Sequence, residues 1–575
     1  LFGHRRVASP PGEGGTGAGD SAEASTTMTK RFINKAETVV QEAIDGFVLS
    51  TPNVTRIDGF PDVKVVVRSD WDKSAGKVSV VCGGGSGHEP SFTGFVGDGM
   101  LTAAVCGNVF ASPSQDAVLA AIVASTGPAG CLLVCMNYTG DRFCFGIAAA
   151  RAKNEYGLNV RLLVVSDDVA IPDAKQPRGL AGTLFVLKAA GAAAATGLPL
   201  DTVEAQAAAV SAGVHSFGVS LGICTLPGAE KQEARMAADE MEVGLGIHGE
   251  PGFKKMKMGT ADEVADIIAK RLLEKVDKKA DLALMVGNLG SVPPMEMSVM
   301  TGALLQRVRA KFLVGPAPLM TSLDMNGIQA SVLQLGEGME RLLLAPTAAR
   351  AWPAAVTPAA PKLMPMPLKQ APAEEASPVH DPMIKDAIQR ACGALAAAVA
   401  ELNELDGKVG DGDCGNTMKT GADAIVALLP RVSTKSPKAT MAAIGRSLNS
   451  LGGSSGVLLS VMFTTMAGAL AEDAQWSREV LGPAFIEGVA TVARVGGAQP
   501  GSRTMLDVLS PVSEAFARGA PAAELAAMAK EKAEATAQVT STAFGRSSYL
   551  NEESLRGTRD PGCAAAALVV AALAA

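Results

Sequence analysis

Between Ala345 and Val379 the chain loses every helical and strand period and fills with Ala and Pro, including Pro353, Pro358, Pro361, Pro365, Pro367, Pro372 and Pro378. Such a stretch is extended and joins no packed core, so it reads as a linker between two bodies. Before it, short β-branched or apolar runs alternate with amphipathic helical stretches. The runs are Val63–Val67, Val78–Val81, Leu101–Val105, Cys131–Met136, Val160–Val165, Leu282–Val286 and Phe312–Val314. That alternation predicts an α/β body with mixed or parallel sheets and flanking helices. After it, residues 384–405, 418–429, 438–451, 456–471, 480–494, 504–518 and 522–542 carry helix-period apolar residues with almost no strand signal, which predicts an all-α bundle or barrel. The expected division is a leader over 1–28, an α/β domain over 29–345, a linker over 346–380 and a helical domain over 381–575. No repeat of fixed period relates the halves.

Composition narrows the function classes. With 51 Lys+Arg against 58 Asp+Glu, the net charge is −7. There is no basic block with interleaved aromatics, so a nucleic-acid surface is not expected. The most apolar long stretch, Asp116 to Met136, is broken by Thr126-Gly127-Pro128-Ala129-Gly130 and reads as helix, turn and strand rather than a membrane span. The 9 cysteines are scattered, without a CxxC pair or a Cys/His cluster, and read as reduced thiols of an intracellular protein. Arg5 and Arg6 would suit a targeting peptide, whereas Glu13, Asp20 and Glu23 would not. The compartment is read as cytoplasmic, with organellar targeting by a truncated leader kept open.

Several segments carry chemistry. Asp406, Asp411 and Asp413 fall within eight residues, separated by glycines. Crowded carboxylates repel one another unless a hard cation sits among them, and Mg²⁺ meets that need. An EF-hand is excluded, because counting from Asp411 puts Gly415, Asn416 and Ala422 at the fifth, sixth and twelfth positions. Gly452-Gly453-Ser454-Ser455-Gly456 opens an apolar helix and offers N–H groups and hydroxyls to an anion. It is not a Walker A loop, since it lacks the Lys. Gly501-Ser502-Arg503-Thr504 and Asp560-Pro561-Gly562 also precede helices and could complete a nucleotide pocket.

In the first half, Val78–Val81 runs into Cys82-Gly83-Gly84-Gly85-Ser86-Gly87-His88-Glu89-Pro90, read as a ligand loop at a strand end. It fails the dinucleotide fingerprint. Of the 5 histidines, His88 and His248 sit in Gly-rich turns and are functional candidates, whereas His215 and His380 read as ordinary surface or core groups. Asp141 follows the strand Cys131–Met136 and is a candidate base, with an Asx-type turn as the alternative.

Together these segments resemble the dihydroxyacetone kinase family in its single-chain, ATP-dependent form. The resemblance runs from about Met28 to the C-terminus. GGGSGHEP at 83–90, GMLTAAVCGNVFASP at 99–113, NYTGD at 137–141 and GLGIHGEPG at 244–252 are similar to its substrate domain. VGDGDCGNTM at 409–418, GGSSG at 452–456, SRTMLD at 502–507, GRSSYL at 545–550 and DPG at 560–562 are similar to its nucleotide domain.

The resemblance implies that His248 adds to the ketone carbon of dihydroxyacetone as a covalent hemiaminal. Gly85, Ser86, Gly87 and His88 would hold the substrate, and Asp141, assisted by His88, would take the proton of the attacking hydroxyl. Asp406, Asp411 and Asp413 would hold two Mg²⁺ ions with ATP. Gly412, Cys414, Ser454, Ser455, Gly496, Thr504, Met505, Asp560, Pro561 and Gly562, with Asp411 and Asp413, match nucleotide contacts. D-Glyceraldehyde is a second expected substrate, FAD cleavage with Mn²⁺ a further activity, and a homodimer the expected assembly. Two departures stand out, Met136 where the family commonly has Lys and Ser502 where it often has an acid. The rival readings are FAD cleavage as the main activity and a non-catalytic dihydroxyacetone sensor.

Overall fold

The computed structural model describes residues 30–172, 174–229, 235–367, 378–449, 451 and 453–575. The chain forms two units, Leu1–Leu363 and Met364–Ala575. The expected leader and residues 368–377 of the expected linker lie outside the described residues. The stretch expected as linker from residue 346 is packed on the first unit as far as Val356. Trp352 is buried with its ring 6.3 Å from Phe185, and Val356 exchanges backbone hydrogen bonds with Leu313. Its prolines remove donors, but the apolar side chains between them still find a core.

The first unit holds two six-stranded sheets. In the first, β1 (Val54–Arg56), β2 (Val65–Arg68), β3 (Ser79–Ser86), β4 (Ala103–Val109), β5 (Cys131–Met136) and β6 (Val160–Val165) lie in the order β1-β2-β4-β3-β5-β6. The four strands from β4 to β6 are parallel and the β1–β2 edge is antiparallel. In the second, β7 (Val214–Ser220), β8 (Glu240–Val243), β9 (Lys254–Lys257), β10 (Leu282–Asn288), β11 (Ala310–Ala317) and β12 (Gly327–Gln334) lie in the order β11-β10-β12-β7-β8-β9, with only β10–β11 parallel.

After α1 (Val39–Ser50), helices α2 (Gln115–Ser125) and α3 (Thr139–Tyr156) cover the outer face of the first sheet through Val81, Leu133 and Phe145. Helix α4 (Thr183–Ala195) is buried on every side, as an apolar helix without a polar face must be. With α5 (Leu200–Gly213) it fills the space between the sheets, while α6 (Ala261–Leu273) and α7 (Pro294–Arg307) cover the far face of the second. Buried Lys188 in α4 donates to the Leu342 carbonyl at 3.0 Å, in the last turns of α8 (Met339–Leu344).

The expected Gly-rich loop after Val81 is strand as far as Ser86, and the turn begins only at Gly87. Gly83 and Gly84 pair with β4, so closely that a Cβ on Gly83 would sit 2.2 Å from the Val105 carbonyl oxygen. The glycines answer the neighbouring backbone rather than a turn.

The second unit is all helical: α9 (Pro382–Ala397), α10 (Val399–Val409), α11 (Cys414–Leu428), α12 (Pro437–Asn449), α13 (Gly453–Ala469), α14 (Arg478–Gly496), α15 (Leu506–Ala517), α16 (Ala522–Ala535), α17 (Glu552–Leu555) and α18 (Pro561–Ala574). The chain of contacts α9–α11–α12–α13–α14–α15–α16–α18 returns to α9, so the helices close into a barrel. The expected single helix 384–405 breaks at Ala398, and its second part runs to Val409, which puts Asp406 on a helix rather than in a loop. All nine cysteines are free thiols. Among the described residues, no helix is long and apolar enough to cross a membrane.

The two sheets of the first unit are stitched where the chain leaves β6. Asp167 is 1 % exposed, and its carboxylate accepts from the backbone N–H of Leu180 at 2.8 Å, that of Gly182 at 2.9 Å and the Ser216 hydroxyl. Its carbonyl accepts from Ser216 N on β7 at 2.7 Å. Asp167→Ala strands these buried donors and should cost on the order of 2–4 kcal/mol, read as a lowered urea midpoint of the first unit's transition.

Candidate functional site

His248 sits in the connection of the β8–β9 hairpin. Its Nδ1 lies 2.8 Å from Oε1 of Glu250, whose Oε2 accepts from the His248 backbone N–H at 3.0 Å. Burial alone would raise the Glu250 carboxyl, but the hydrogen bond and charge of His248 and nearby backbone N–H groups hold it down to about 2. An ionised Glu250 accepts a hydrogen bond from Nδ1–H, which leaves Nε2 as the ring's lone-pair nitrogen. Two ion pairs grip the ends of this connection. Arg178, paired with buried Asp168 at 2.6 Å, donates to the Gly244 carbonyl at 2.8 Å. Arg235, paired with buried Glu242 at 2.7 Å, donates to the Gly249 carbonyl at 2.9 Å.

Three rings stand nearly perpendicular to the His248 imidazole: His88 at 4.8 Å, Tyr138 at 4.9 Å and Phe110 at 5.2 Å. His88, at the turn after β3, is 1 % exposed and holds the Thr321 carbonyl through Nδ1 at 2.7 Å, so its Nε2 is the unprotonated nitrogen. Burial first, and the neighbouring His248 second, push it down to about 3, so His88 is neutral. Asp141 lies in the first turn of α3, buried rather than in an exposed turn, and burial raises its carboxyl against a Ser112 hydrogen bond and the His248 imidazole. His88 Nε2 and Asp141 Oδ1 are both buried without a partner. The structure thus brings His248, His88 and Asp141 into one neighbourhood. Ser86 is beside them, though its hydroxyl donates to the Gly107 carbonyl at 2.8 Å and offers only its oxygen. Gly85 and Gly87 are bare because the 110–111 backbone and the Phe110 ring come close, with a Cβ at either position falling 2.9 Å or less from them. Met136 points into the apolar core, with its terminal methyl 3.6 Å from where a Gly84 Cβ would stand.

In the second unit, Asp406, Asp411 and Asp413 each present a carboxylate oxygen within 4.8 Å of the others. Asp406 is buried at the end of α10, and its Oδ2 accepts from the backbone N–H of Asp413 at 2.9 Å and of Cys414 at 3.2 Å, which folds the acidic loop back onto the helix. Gly410 has no alternative, since a Cβ there would lie 2.3 Å from Asp406 Oδ1. Oxygen donors gathered this tightly fit a hard divalent cation such as Mg²⁺. Gly412 takes the left-handed φ of 81° in the same loop, and burial, then the charges of Asp406, Asp560, Asp413 and Asp411, push the Cys414 thiol up to about 12.

Asp560 is thus a neighbour of the trio. It caps α18 by accepting from Cys563 N at 2.8 Å, and burial raises its carboxyl to about 6. Pro561 follows as the first helical residue, Gly562 packs beside Met505, and the Cys563 thiol donates to the Thr504 carbonyl at 2.8 Å. Arg503 ties these loops together. It is 2 % exposed and donates to the Ser547 hydroxyl at 3.0 Å and the Thr558 carbonyl at 2.7 Å, while Ser547 donates to the Val409 carbonyl at 3.2 Å. Ser454 and Ser455 occupy the first turn of α13, and Gly496 ends α14 against Leu458 of α13. Gly452 lies outside the described residues.

Glu250, Phe110, Tyr138 and Arg503 stand inside segments that the sequence singles out but carry no role there, and Arg178 and Arg235 lie outside those segments. Glu250 carried a local signal, an acid two residues beyond a glycine-flanked histidine.

An α/β unit with a histidine pair, His88 buried and His248 partly exposed, followed by a helical barrel with an acidic trio, defines a two-domain chain of kinase architecture. A Dak1 domain matches residues 45–351 and a DAK2 domain residues 408–575. The dihydroxyacetone kinase of Citrobacter freundii is 39% identical over 95% of this chain and 99% of its own. A crystal structure of the C. freundii dihydroxyacetone kinase in complex with AMP-PNP and Mg²⁺ has a TM-score of 0.67 and 38% identity, covering 95% of this chain and 99% of that one. The triokinase/FMN cyclase of Rattus norvegicus is 35% identical over 95% of this chain and 98% of its own. The L-erythrulose 1-kinase of Mycolicibacterium smegmatis is 33% identical over 94% and 98%. The chain belongs to the dihydroxyacetone kinase family.

His88 has a folded value near 3 against 6.5 unfolded. The stability it contributes is therefore present above about pH 6.5 and is lost as pH falls toward 3, at up to about 1.4 kcal/mol per pH unit. His88→Gln should flatten that part of the first unit's stability profile, measured by urea melts between these pH values; an identical slope in both proteins would show that His88 takes up no proton on unfolding.

Proposed function

We propose that this chain phosphorylates dihydroxyacetone, and D-glyceraldehyde as a second substrate, from ATP. The observation that carries the reading is His248, held through Nδ1 by an ionised Glu250 next to two buried polar atoms without partners, His88 Nε2 and Asp141 Oδ1. Nε2 attacks the ketone carbon, forming a C–N bond as the C=O π pair moves onto the oxygen, which takes a proton from water, and Glu250 meets the positive charge left on the ring. Asp141, with its proton affinity raised by burial, takes the proton of the hydroxyl that attacks the γ-phosphorus of ATP.

Asp406, Asp411 and Asp413 hold Mg²⁺ with ATP, which supplies charge neutralisation for the transferring phosphoryl group. Ser454, Ser455, Gly496, Thr504, Met505 and Asp560 line the nucleotide site. FAD is a further ligand of the second unit, cleaved with Mn²⁺, in keeping with the relative named a triokinase/FMN cyclase. Free, mostly buried thiols are in keeping with a cytoplasmic protein.

The two activities should separate. His248→Ala should lower phosphorylation of dihydroxyacetone by about a thousandfold or more through lost covalent positioning, leaving FAD cleavage intact, while Asp413→Asn abolishes both. Kinase turnover retained by His248→Ala in a coupled assay would end the hemiaminal assignment.

A homodimer whose units work across chains completes the reading. A mixture of His248→Ala and Asp411→Asn chains should then regain kinase activity after subunit exchange, and a mixture that stays inactive would restrict pairing to one chain.

A further inference from the structure

The backbone at Phe110 is held at a φ of 57°, left-handed space that a bulky aromatic residue rarely enters. Non-glycine residues kept there cost free energy, and they persist where their surroundings over-determine them. Here the surroundings are clear. Phe110 N donates to the Ser86 carbonyl at 2.9 Å, and Gly87, itself left-handed, leaves its Cβ position open 2.8 Å from the Phe110 ring. The outcome is a ring stacked on His88 at 5.0 Å and 20° and edge-on to His248 at 5.2 Å and 82°.

The other walls of the His248 pocket are pinned by polar groups with structural duties. Tyr138 donates from its hydroxyl to the Gly179 carbonyl at 3.1 Å, and His88 is tied to Thr321 through Nδ1. Phe110 carries no such bond and is half-buried, so it is the wall whose size is set by packing alone.

Resting on the kinase reading above, we propose that Phe110 is the specificity-determining residue of the ketone pocket, its ring limiting the chain on the carbonyl carbon that His248 attacks and so favouring a three-carbon over a four-carbon ketose. An apolar wall discriminates a substrate longer by one carbon by roughly 10–200-fold. Relatives named for dihydroxyacetone and for L-erythrulose show that the family spans both lengths.

The test compares dihydroxyacetone with L-erythrulose for the full chain, Phe110→Leu and Phe110→Ala, by kcat/KM in a coupled ATP assay and by calorimetric binding of each ketose without ATP. Expected is a shift of the erythrulose-to-dihydroxyacetone ratio by tenfold or more toward erythrulose in Phe110→Ala, with Phe110→Leu between. The binding ratio should move in the same direction. A ratio unchanged within twofold, or an equal loss for both ketoses, overturns the assignment while leaving the kinase reading intact. If Phe110→Ala does not fold, Phe110→Leu decides on the same criterion. A wild-type chain that binds and phosphorylates neither ketose overturns both readings together.

Discussion

The first unit depends on a pair of adjacent buried acids. Where the chain leaves the first sheet, Asp167 captures the turn that starts α4 and the hydroxyl of Ser216 in the second sheet. Asp168 holds Arg178, and Arg178 reaches the carbonyl of Gly244, where the His248 connection begins. The charges that join the sheets therefore also fix the start of the segment that carries His248. Removing one member of a buried ion pair leaves the other charged and unsolvated, so the arrangement is stable only as a whole. Arg235 and Glu242 do the same from the opposite end of the connection, and the imidazole is located by two charge pairs that it never touches.

How much of this could be read from the sequence depends on where each residue finds its partner. Strands β5 and β6 were readable end to end because β5 is an unbroken apolar run and β6 one interrupted only by Arg161, each between turn signals. Strands β7 and β12 were not, because Ser216, Ser220, Gln329 and Ser331 make them look like loop. The serines spend their polarity on hydrogen bonds inside the core, such as Ser216 with Ser331 at 2.6 Å. Strands β8 and β9 form a polar hairpin whose lysines suit a sheet edge. Gly83 to Gly85 misled for the opposite reason, since glycine signals a turn and here answers a neighbouring strand. His248, His88, Asp141 and the acidic trio were legible because glycine flanks them. Their supports were not, because Arg178 lies 66 residues from the Gly244 carbonyl it holds and Arg235 14 from that of Gly249, with no spacing rule to betray either.

The second unit solves a different electrostatic problem. Its acidic loop needs backbone N–H groups to keep Asp406 in place and a rigid frame to keep Asp411 and Asp413 from relaxing apart. The closed ring of helices supplies the frame, and Arg503 binds the loops of that end to one another. Burial raises the carboxyl of Asp560, the cap of α18, to about 6, and the acidic trio gathers its oxygens close by.

The glycines of β3 have an evolutionary consequence. At Gly83 and Gly85 any side chain would strike the backbone of the neighbouring strand or the turn after it, so the strand floor that leads to His88 is closed to larger residues. Lineages that change their sugar cannot do so by remodelling that floor. Variation is channelled into the rim, at the Phe110 side chain after β4, whose ring carries no hydrogen bond that ties it to the sheet. The chemistry of the pocket is thereby insulated from drift, and its reach along the carbon chain is the quantity left free for selection to adjust.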